Sequence, residues 1–262
     1  MPTEVRGRID THWDEVGEGE RVLMLHCSLA LGRALMPLAK ALGQGRAILP
    51  DLPGHGRSGD ADADADYLGR AIAQAETFLD GPTDLIGHSL GGVVALGVAV
   101  RNPALVRSLT LIEPVLFAAA EGTDAHARYV EDHAPIMADI GGGNAVAATR
   151  AFMQIWGTGA PWDAMPEEMR AEMVKRIDLV RRSGPGLSQD KCGLLADGAL
   201  EAVDAPVLLV RGAQTHPVIP AILDALEMRL PNATRTRIDG AGHMAPLTHA
   251  AQVAQAIKAP RA

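Results

Sequence analysis

Short apolar runs alternate with segments of helical periodicity along most of the chain. Residues 22–25 and 47–49 are continuous apolar runs, the pattern of strands buried on both faces. Residues 34–42 lie between them and predict a helix that ends at Gly43. Further strands are predicted at residues 85–86, 109–112, 206–210 and 234–238, and further helices at residues 67–79, 93–100, 220–230 and 250–257. This alternation predicts crossover connections and an α/β fold, with a mostly parallel central sheet flanked by helices.

The alternation stops between residues 117 and 202, where no strand pattern is present. Residues 166–182 predict one helix, because Pro166 stands at its first position, glutamates follow, arginines fill its last turn and Gly184 comes just after. We therefore predict a helical cap at residues 117–202, inserted into a core of residues 1–116 and 203–262. The alternative is that these helices only pack against the sheet.

Composition narrows the class of protein. The chain has 262 residues, 47% of them hydrophobic, which is enough for one large domain or a core with an insertion. Its net charge of −8 does not suggest a nucleic-acid partner. Two cysteines, Cys27 and Cys192, make no disulfide framework and favour a reducing compartment. Because the sequence shows neither a signal pattern nor an apolar run of bilayer length, we expect a soluble, cytoplasmic protein without a membrane partner.

The segment Gly-His-Ser-Leu-Gly at residues 87–91 lies between a predicted strand and a predicted helix. A strand that turns sharply into a helix holds the turn residue in a strained conformation and exposes its side chain above the sheet. Strand and helix pass close together there, so the flanking residues must be small, as Gly87 and Gly91 are. The pattern predicts Ser89 as a nucleophile. A phosphate-binding loop is the alternative, but no lysine follows at P-loop spacing.

A serine hydroxyl needs a base within hydrogen-bonding reach, and the base needs a group that orients it. His243 is the best candidate among the nine histidines, because it follows the last predicted strand at the same edge of the sheet as Ser89. Small residues precede it in the segment Gly-Ala-Gly-His, residues 240–243, and let the imidazole approach.

Four motifs together resemble the α/β-hydrolase family. They are residues 26–28 (His-Cys-Ser), 51–59 (Asp-Leu-Pro-Gly-His-Gly-Arg-Ser-Gly), 87–91 and 240–243, and they occur in the family's order. The resemblance covers nearly the whole chain outside the insertion. It implies a nucleophile, an acid and a histidine in that order, a helical cap, and neither cofactor nor metal.

The acid departs from the family's usual pattern. The usual position lies three residues past Gly212, where this chain has Thr215, which cannot carry a charge. Some members place the acid one strand earlier, and there the chain has Glu113, which we predict as the acid. The alternatives are Asp239, a dyad without a carboxylate, and a Glu113 that only caps a turn.

A second departure lies at Cys27, where the family usually has glycine after histidine. The resemblance implies that the backbone N–H groups of Ser28 and Leu90 form the oxyanion hole. We expect the side chain of Cys27 to restrict this loop, since glycine's access to positive φ is lost. Cys27 itself as a nucleophile is a weaker alternative to a small buried cysteine.

The sequence predicts a serine hydrolase that cleaves a small carboxylic ester or lactone through an acyl-enzyme. A carbon–carbon bond hydrolase acting on a diketone, or an acyltransferase, would use the same triad, and a non-catalytic ligand receptor could use the same fold. The partner is a small-molecule substrate of unknown identity, and the oligomeric state is open. Apolar residues of the insertion that could form either a substrate pocket or the core of the cap are Phe117, Phe152, Met153, Trp156 and Trp162.

Overall fold

A computed structural model describes residues 3–62 and 66–259 of the chain. Within them the chain forms an eight-stranded sheet in the order β1-β2-β4-β3-β5-β6-β7-β8. The strands are β1 (Thr3–Arg6), β2 (Ile9–Val16), β3 (Arg21–Leu25), β4 (Arg46–Pro50), β5 (Thr83–His88), β6 (Val106–Ile112), β7 (Val207–Gly212) and β8 (Ala233–Ile238). Strands β3 to β8 pair in parallel, which confirms the predicted mostly parallel α/β sheet.

The two N-terminal strands were not predicted. β2 pairs antiparallel with both β1 and β4, with Trp13 opposite Pro50. The sequence of β2, Ile-Asp-Thr-His-Trp-Asp-Glu-Val, has no apolar run that would predict a buried strand. The strand is nevertheless largely buried, and its buried residues include the polar Thr11, His12 and Asp14. Gln74 donates to the Thr11 hydroxyl at 2.8 Å, which compensates for burying that group.

Helices cover both faces of the sheet. They are α1 (Met36–Leu42), α2 (Tyr67–Glu76), α3 (Leu90–Arg101), α4 (Asp124–Gly141), α5 (Ala145–Trp156), α6 (Glu167–Arg176), α7 (Asp178–Ser188), α8 (Val218–Arg229), α9 (Ala245–Thr248) and α10 (Ala250–Lys258). In β3, Leu23 and Leu25 face the layer of α2, α3 and α8, whereas Val22 and Met24 face the layer of α1 and α10. Strand residues alternate between faces, so one apolar run supplies both cores.

Between β6 and β7, residues 117–202 contain helices α4 to α7 and no strand. The prediction of one helix over residues 166–182 was wrong: α6 ends at Arg176, and α7 runs through Gly184 to Ser188. The break lies at Ile177, whose side chain is buried in a small cluster with Leu29 and Val180. Tertiary packing therefore overrides the terminal signals, which Arg181 and Gly184 had suggested.

No helix within the described parts of the chain has both the length and the apolar character required to cross a membrane.

Candidate active site

Ser89 lies at the sharp turn between β5 and α3. Its backbone is left-handed, with φ 55° and ψ −118°, and its N–H donates to Ile112 O at 2.9 Å. A Cβ atom on Gly87 would lie 2.2 Å from Gly91 O, and one on Gly91 would lie 2.2 Å from Leu25 O. Only glycine fits at these two positions, as the close approach of strand and helix predicts.

Ser89, His243 and Glu113 form one chain of hydrogen bonds. His243 Nε2 is 3.0 Å from Ser89 Oγ, and His243 Nδ1 is 2.9 Å from Glu113 Oε2. The three residues are 6%, 5% and 0% exposed, respectively. Because a carboxylate only accepts hydrogen bonds, Nδ1 carries the proton, and Nε2 is free to accept the proton of the serine hydroxyl.

The Glu113 carboxylate accepts hydrogen bonds from three donors. Gly212 N–H donates to Oε1 at 2.6 Å, and both the Thr215 hydroxyl and His243 bond to Oε2. The three donors compensate for the cost of burying this carboxylate. Thr215, at the family's usual acid position, thus contributes a hydrogen bond to the glutamate one strand away. That supporting role was not predicted, although a hydroxyl at this position could have suggested it.

Asp239, the reserve candidate for the acid, lies apart from the site. Its side chain is 82% exposed and pairs with Arg237 at 2.9 Å. It follows β8 directly, and its carboxylate faces solvent rather than the imidazole of His243. The structure therefore brings Glu113, and not Asp239, to the predicted nucleophile and base.

Two aromatic side chains from different elements pack against His243: His88, at the end of β5, and Trp156, on α5. His88 Nε2 donates to His243 O at 2.9 Å, which holds the backbone of the histidine loop. Burial lowers the pKa of His88 to about 3, so this ring is neutral. The ring of Trp156, on α5, meets that of His243 edge-on at 4.8 Å between centroids. Nothing in the sequence indicated that Trp156 would touch the predicted base.

Ser28 and Leu90, the predicted oxyanion-hole residues, both lie beside Ser89. Leu90 begins α3, so its N–H has no partner within the helix. Ser28 lies in the loop after β3, and it lines the same cavities as Ser89. The site is compatible with the two predicted N–H donors, since Leu90 directly follows the serine and Ser28 shares its cavities.

In the loop after β3, the restriction expected from the Cys27 side chain stays a prediction. Cys27 does not have a positive φ; the left-handed residue of this loop is Leu29, with φ 62°. Leu29 N–H donates to His55 Nε2 at 3.1 Å, and this bond holds the strained turn. Cys27 is buried, and burial raises the pKa of its thiol to about 12, so it is not a thiolate near neutral pH.

Two cavities meet at Ser89. One, of about 480 Å³, lies beside α4 and α7, and we call it the aromatic cavity after Phe117, Tyr129, Phe152 and Trp156. The other, of about 670 Å³, lies beside α6 and the loop after β3, and we call it the methionine cavity. Methionines that line it are Met153, Met165, Met169, Met173 and Met244. Of the five apolar residues singled out in the insertion, Trp162 lines neither cavity and lies under the Arg170 guanidinium.

The buried histidines should destabilise the protein as the pH falls below about 6.5. Burial lowers the pKa of His88 to about 3 and that of His133 to about 4. The unfolded chain, with histidine pKa values near 6.5, binds protons in this range that the folded protein excludes. Each such histidine therefore removes up to about 1.4 kcal/mol of stability per pH unit as the pH falls.

Urea unfolding at pH 7.5, 6.5 and 5.5 measures this dependence. His88→Gln should make the free energy of unfolding less steeply dependent on pH than in the wild type, because it removes one buried imidazole whose pKa is lowered to about 3. An unchanged slope in His88→Gln would contradict the prediction.

A sequence model of the alpha/beta hydrolase family matches residues 22–256. The chain belongs to this family. The relatives include Lipase LipV of Mycobacterium tuberculosis, 30% identical over 95% of this chain and 97% of the lipase. The pimeloyl-[acyl-carrier protein] methyl ester esterase of Xanthomonas campestris pv. campestris is 31% identical over 94% of this chain and 96% of the esterase. These findings confirm the predicted family and make the protein a hydrolase.

Solved structures agree on the fold. An α/β hydrolase from Sphaerobacter thermophilus superposes with a TM-score of 0.73, at 20% sequence identity, over 98% of this chain and 100% of that chain. At this identity the likeness concerns the fold alone. The shared fold is the mostly parallel sheet with flanking helices, which in this chain positions Ser89 and His243.

Proposed function

We propose that the protein is a serine hydrolase that cleaves small carboxylic esters or lactones through an acyl-enzyme. The observation that carries this proposal is the buried chain of hydrogen bonds from Ser89 through His243 to Glu113, with distances of 3.0 Å and 2.9 Å. The names of the two curated relatives, a lipase and a methyl ester esterase, support an ester as the substrate.

Each residue has one role in the proposed reaction. Ser89 Oγ attacks the carbonyl carbon while His243 Nε2 takes its proton, and Glu113 stabilises the imidazolium that forms. The Ser28 and Leu90 N–H groups bind the developing oxyanion. His243 then returns the proton to the leaving alcohol as its C–O bond breaks. A water molecule, activated by the same histidine, hydrolyses the acyl-enzyme and regenerates Ser89.

The helices between β6 and β7 belong to the same proposal. We infer that residues 117–202 act as a cap over the core formed by residues 1–116 and 203–262. Phe152 and Trp156, on α5, line the cavities that contain Ser89, so this insertion shapes the space available to a substrate. A capped, largely apolar site excludes water and strengthens the electrostatic contacts within it.

Two assays of the purified protein test the function. p-Nitrophenyl acetate should be hydrolysed, and diethyl p-nitrophenyl phosphate should phosphorylate the enzyme, release one equivalent of p-nitrophenol and stop turnover. Mass spectrometry should place the diethyl phosphoryl group on Ser89 and leave Ser28, the hydroxyl in the same cavities, unmodified. A folded protein that neither turns over the ester nor reacts with the phosphate would overturn the proposal in favour of a ligand receptor. Ester turnover with labelling elsewhere would remove Ser89 as the nucleophile.

A further inference from the structure

The position of Ser89 between two cavities bears on which esters fit. Ser28, Ser89, Phe152 and Trp156 line both the aromatic and the methionine cavity. An ester has an acyl arm and an alcohol arm on opposite sides of its carbonyl carbon. With the carbonyl at Ser89, each cavity can take one arm.

His243 sets the direction of the ester. Among the described residues, it lines the methionine cavity and is absent from the lining of the aromatic cavity. In the proposed reaction, His243 Nε2 gives its proton to the alcohol oxygen, so this oxygen must lie on the histidine side of the carbonyl. The alcohol arm then extends into the methionine cavity, and the acyl arm extends into the aromatic cavity.

The methionine cavity suits a long, flexible, apolar arm. Five of the chain's ten methionines line this larger cavity, and methionine side chains adapt their shape to irregular apolar surfaces. Leu31 and Met169, both in its lining, remain 38% and 49% exposed, so the apolar surface continues to the outside. A chain longer than the cavity can follow this surface towards solvent.

The aromatic cavity is smaller and more polar at its walls. Phe117 and Tyr129 stack at 3.8 Å between ring centroids and fill its apolar side. Ser183 and Gln189 also line it, as does His133, a side chain only 8% exposed. Within the described residues, His133 Nδ1 has no hydrogen-bond partner. These features favour a compact acyl group over a long alkyl chain.

We propose that the substrates are esters of a compact acyl group with a long, flexible, apolar alcohol. This inference rests on the proposed ester hydrolysis at Ser89 and adds the direction in which the ester binds.

Octyl acetate and ethyl octanoate test the direction, because they are isomers with the long chain on opposite sides of the ester. We expect kcat/KM to be at least about tenfold higher for octyl acetate, since only its long arm enters the methionine cavity. Equal values, or a preference for ethyl octanoate, would overturn the assignment of the arms. If p-nitrophenyl acetate is hydrolysed in that case, the ester function stands and only the direction is wrong. If no ester is hydrolysed, the proposed function fails first.

Variants in the two cavities should shift this preference in opposite directions. Met169→Glu places a charge in the methionine cavity at a half-exposed position, and the ratio of kcat/KM for octyl acetate to that for ethyl octanoate should fall about tenfold. Met137→Glu places the same charge in the aromatic cavity, and the ratio should rise. Met228→Glu, at a methionine 81% exposed on α8, is the matched control and should leave the ratio unchanged. A fall of the ratio in Met137→Glu would contradict the proposal.

Discussion

Replacing Ser89 with alanine should reduce kcat/KM for p-nitrophenyl acetate by a factor of about 10⁴ to 10⁶, because the acyl-enzyme can no longer form. The loss should concern chemistry rather than folding. Alanine keeps the Cβ atom and leaves the backbone bond from position 89 to Ile112 O intact. Circular dichroism and the midpoint of urea unfolding check the fold, and initial rates of p-nitrophenol release measure the activity.

Ser28→Ala is the matched control for that substitution. Ser28 lines the same cavities and loses the same hydroxyl, but its proposed role uses only the backbone N–H, which alanine retains. We expect its activity to stay within about tenfold of the wild type. If Ser89→Ala kept more than a tenth of wild-type activity, another residue would be the nucleophile.

Glu113→Gln should lower kcat for p-nitrophenyl acetate by about 10³ to 10⁴. A glutamine amide can donate to His243 Nδ1, which moves the imidazole proton to Nε2, and that nitrogen then cannot accept the proton of Ser89. Glutamine has nearly the shape of glutamate and can still accept the Gly212 N–H, so the fold should persist. Asp239→Asn is the control at an exposed carboxylate and should change kcat less than twofold.

A carboxylate introduced at position 215 can test whether the activity lost in Glu113→Gln is regained. The Thr215 hydroxyl bonds to the same Glu113 oxygen that His243 contacts, so a carboxylate at position 215 would lie near the imidazole. The double variant Glu113→Gln with Thr215→Asp should regain at least about tenfold in kcat over Glu113→Gln alone. Loss of activity in Asp239→Asn with full activity in Glu113→Gln would reverse the assignment of the acid.

Local patterns predicted the elements that carry Ser89 and His243. The strands β3, β4 and β6 are buried on both faces, so each contains a run of mostly apolar residues, and this run can be recognised in the sequence. Glu113 was predicted from the resemblance to the α/β-hydrolase family, some of whose members carry the acid at the end of this strand. Its contact with His243 at 2.9 Å agrees with that reasoning, while its role as the acid stays a prediction.

Other features depend on contacts between distant segments and leave no local pattern. β2 buries Thr11 and His12 through partners elsewhere in the chain, so its polar sequence does not look like a strand. The break at Ile177 follows from packing against Leu29, about 150 residues away in sequence, rather than from a helix-stop residue. The edge-on contact of Trp156 with His243 is a long-range contact of the same kind.

Among the described residues, five non-glycine residues have a left-handed backbone, and three of them are Leu29, Ser89 and Glu113. Each such position costs about 1–2 kcal/mol, and glycine would relieve that cost. At Ser89 and Glu113, however, the same change removes the proposed reacting groups. A library of variants sorted only for heat resistance would therefore enrich enzymes that have lost their site. Laboratory evolution of this hydrolase has to select for turnover and stability in the same round.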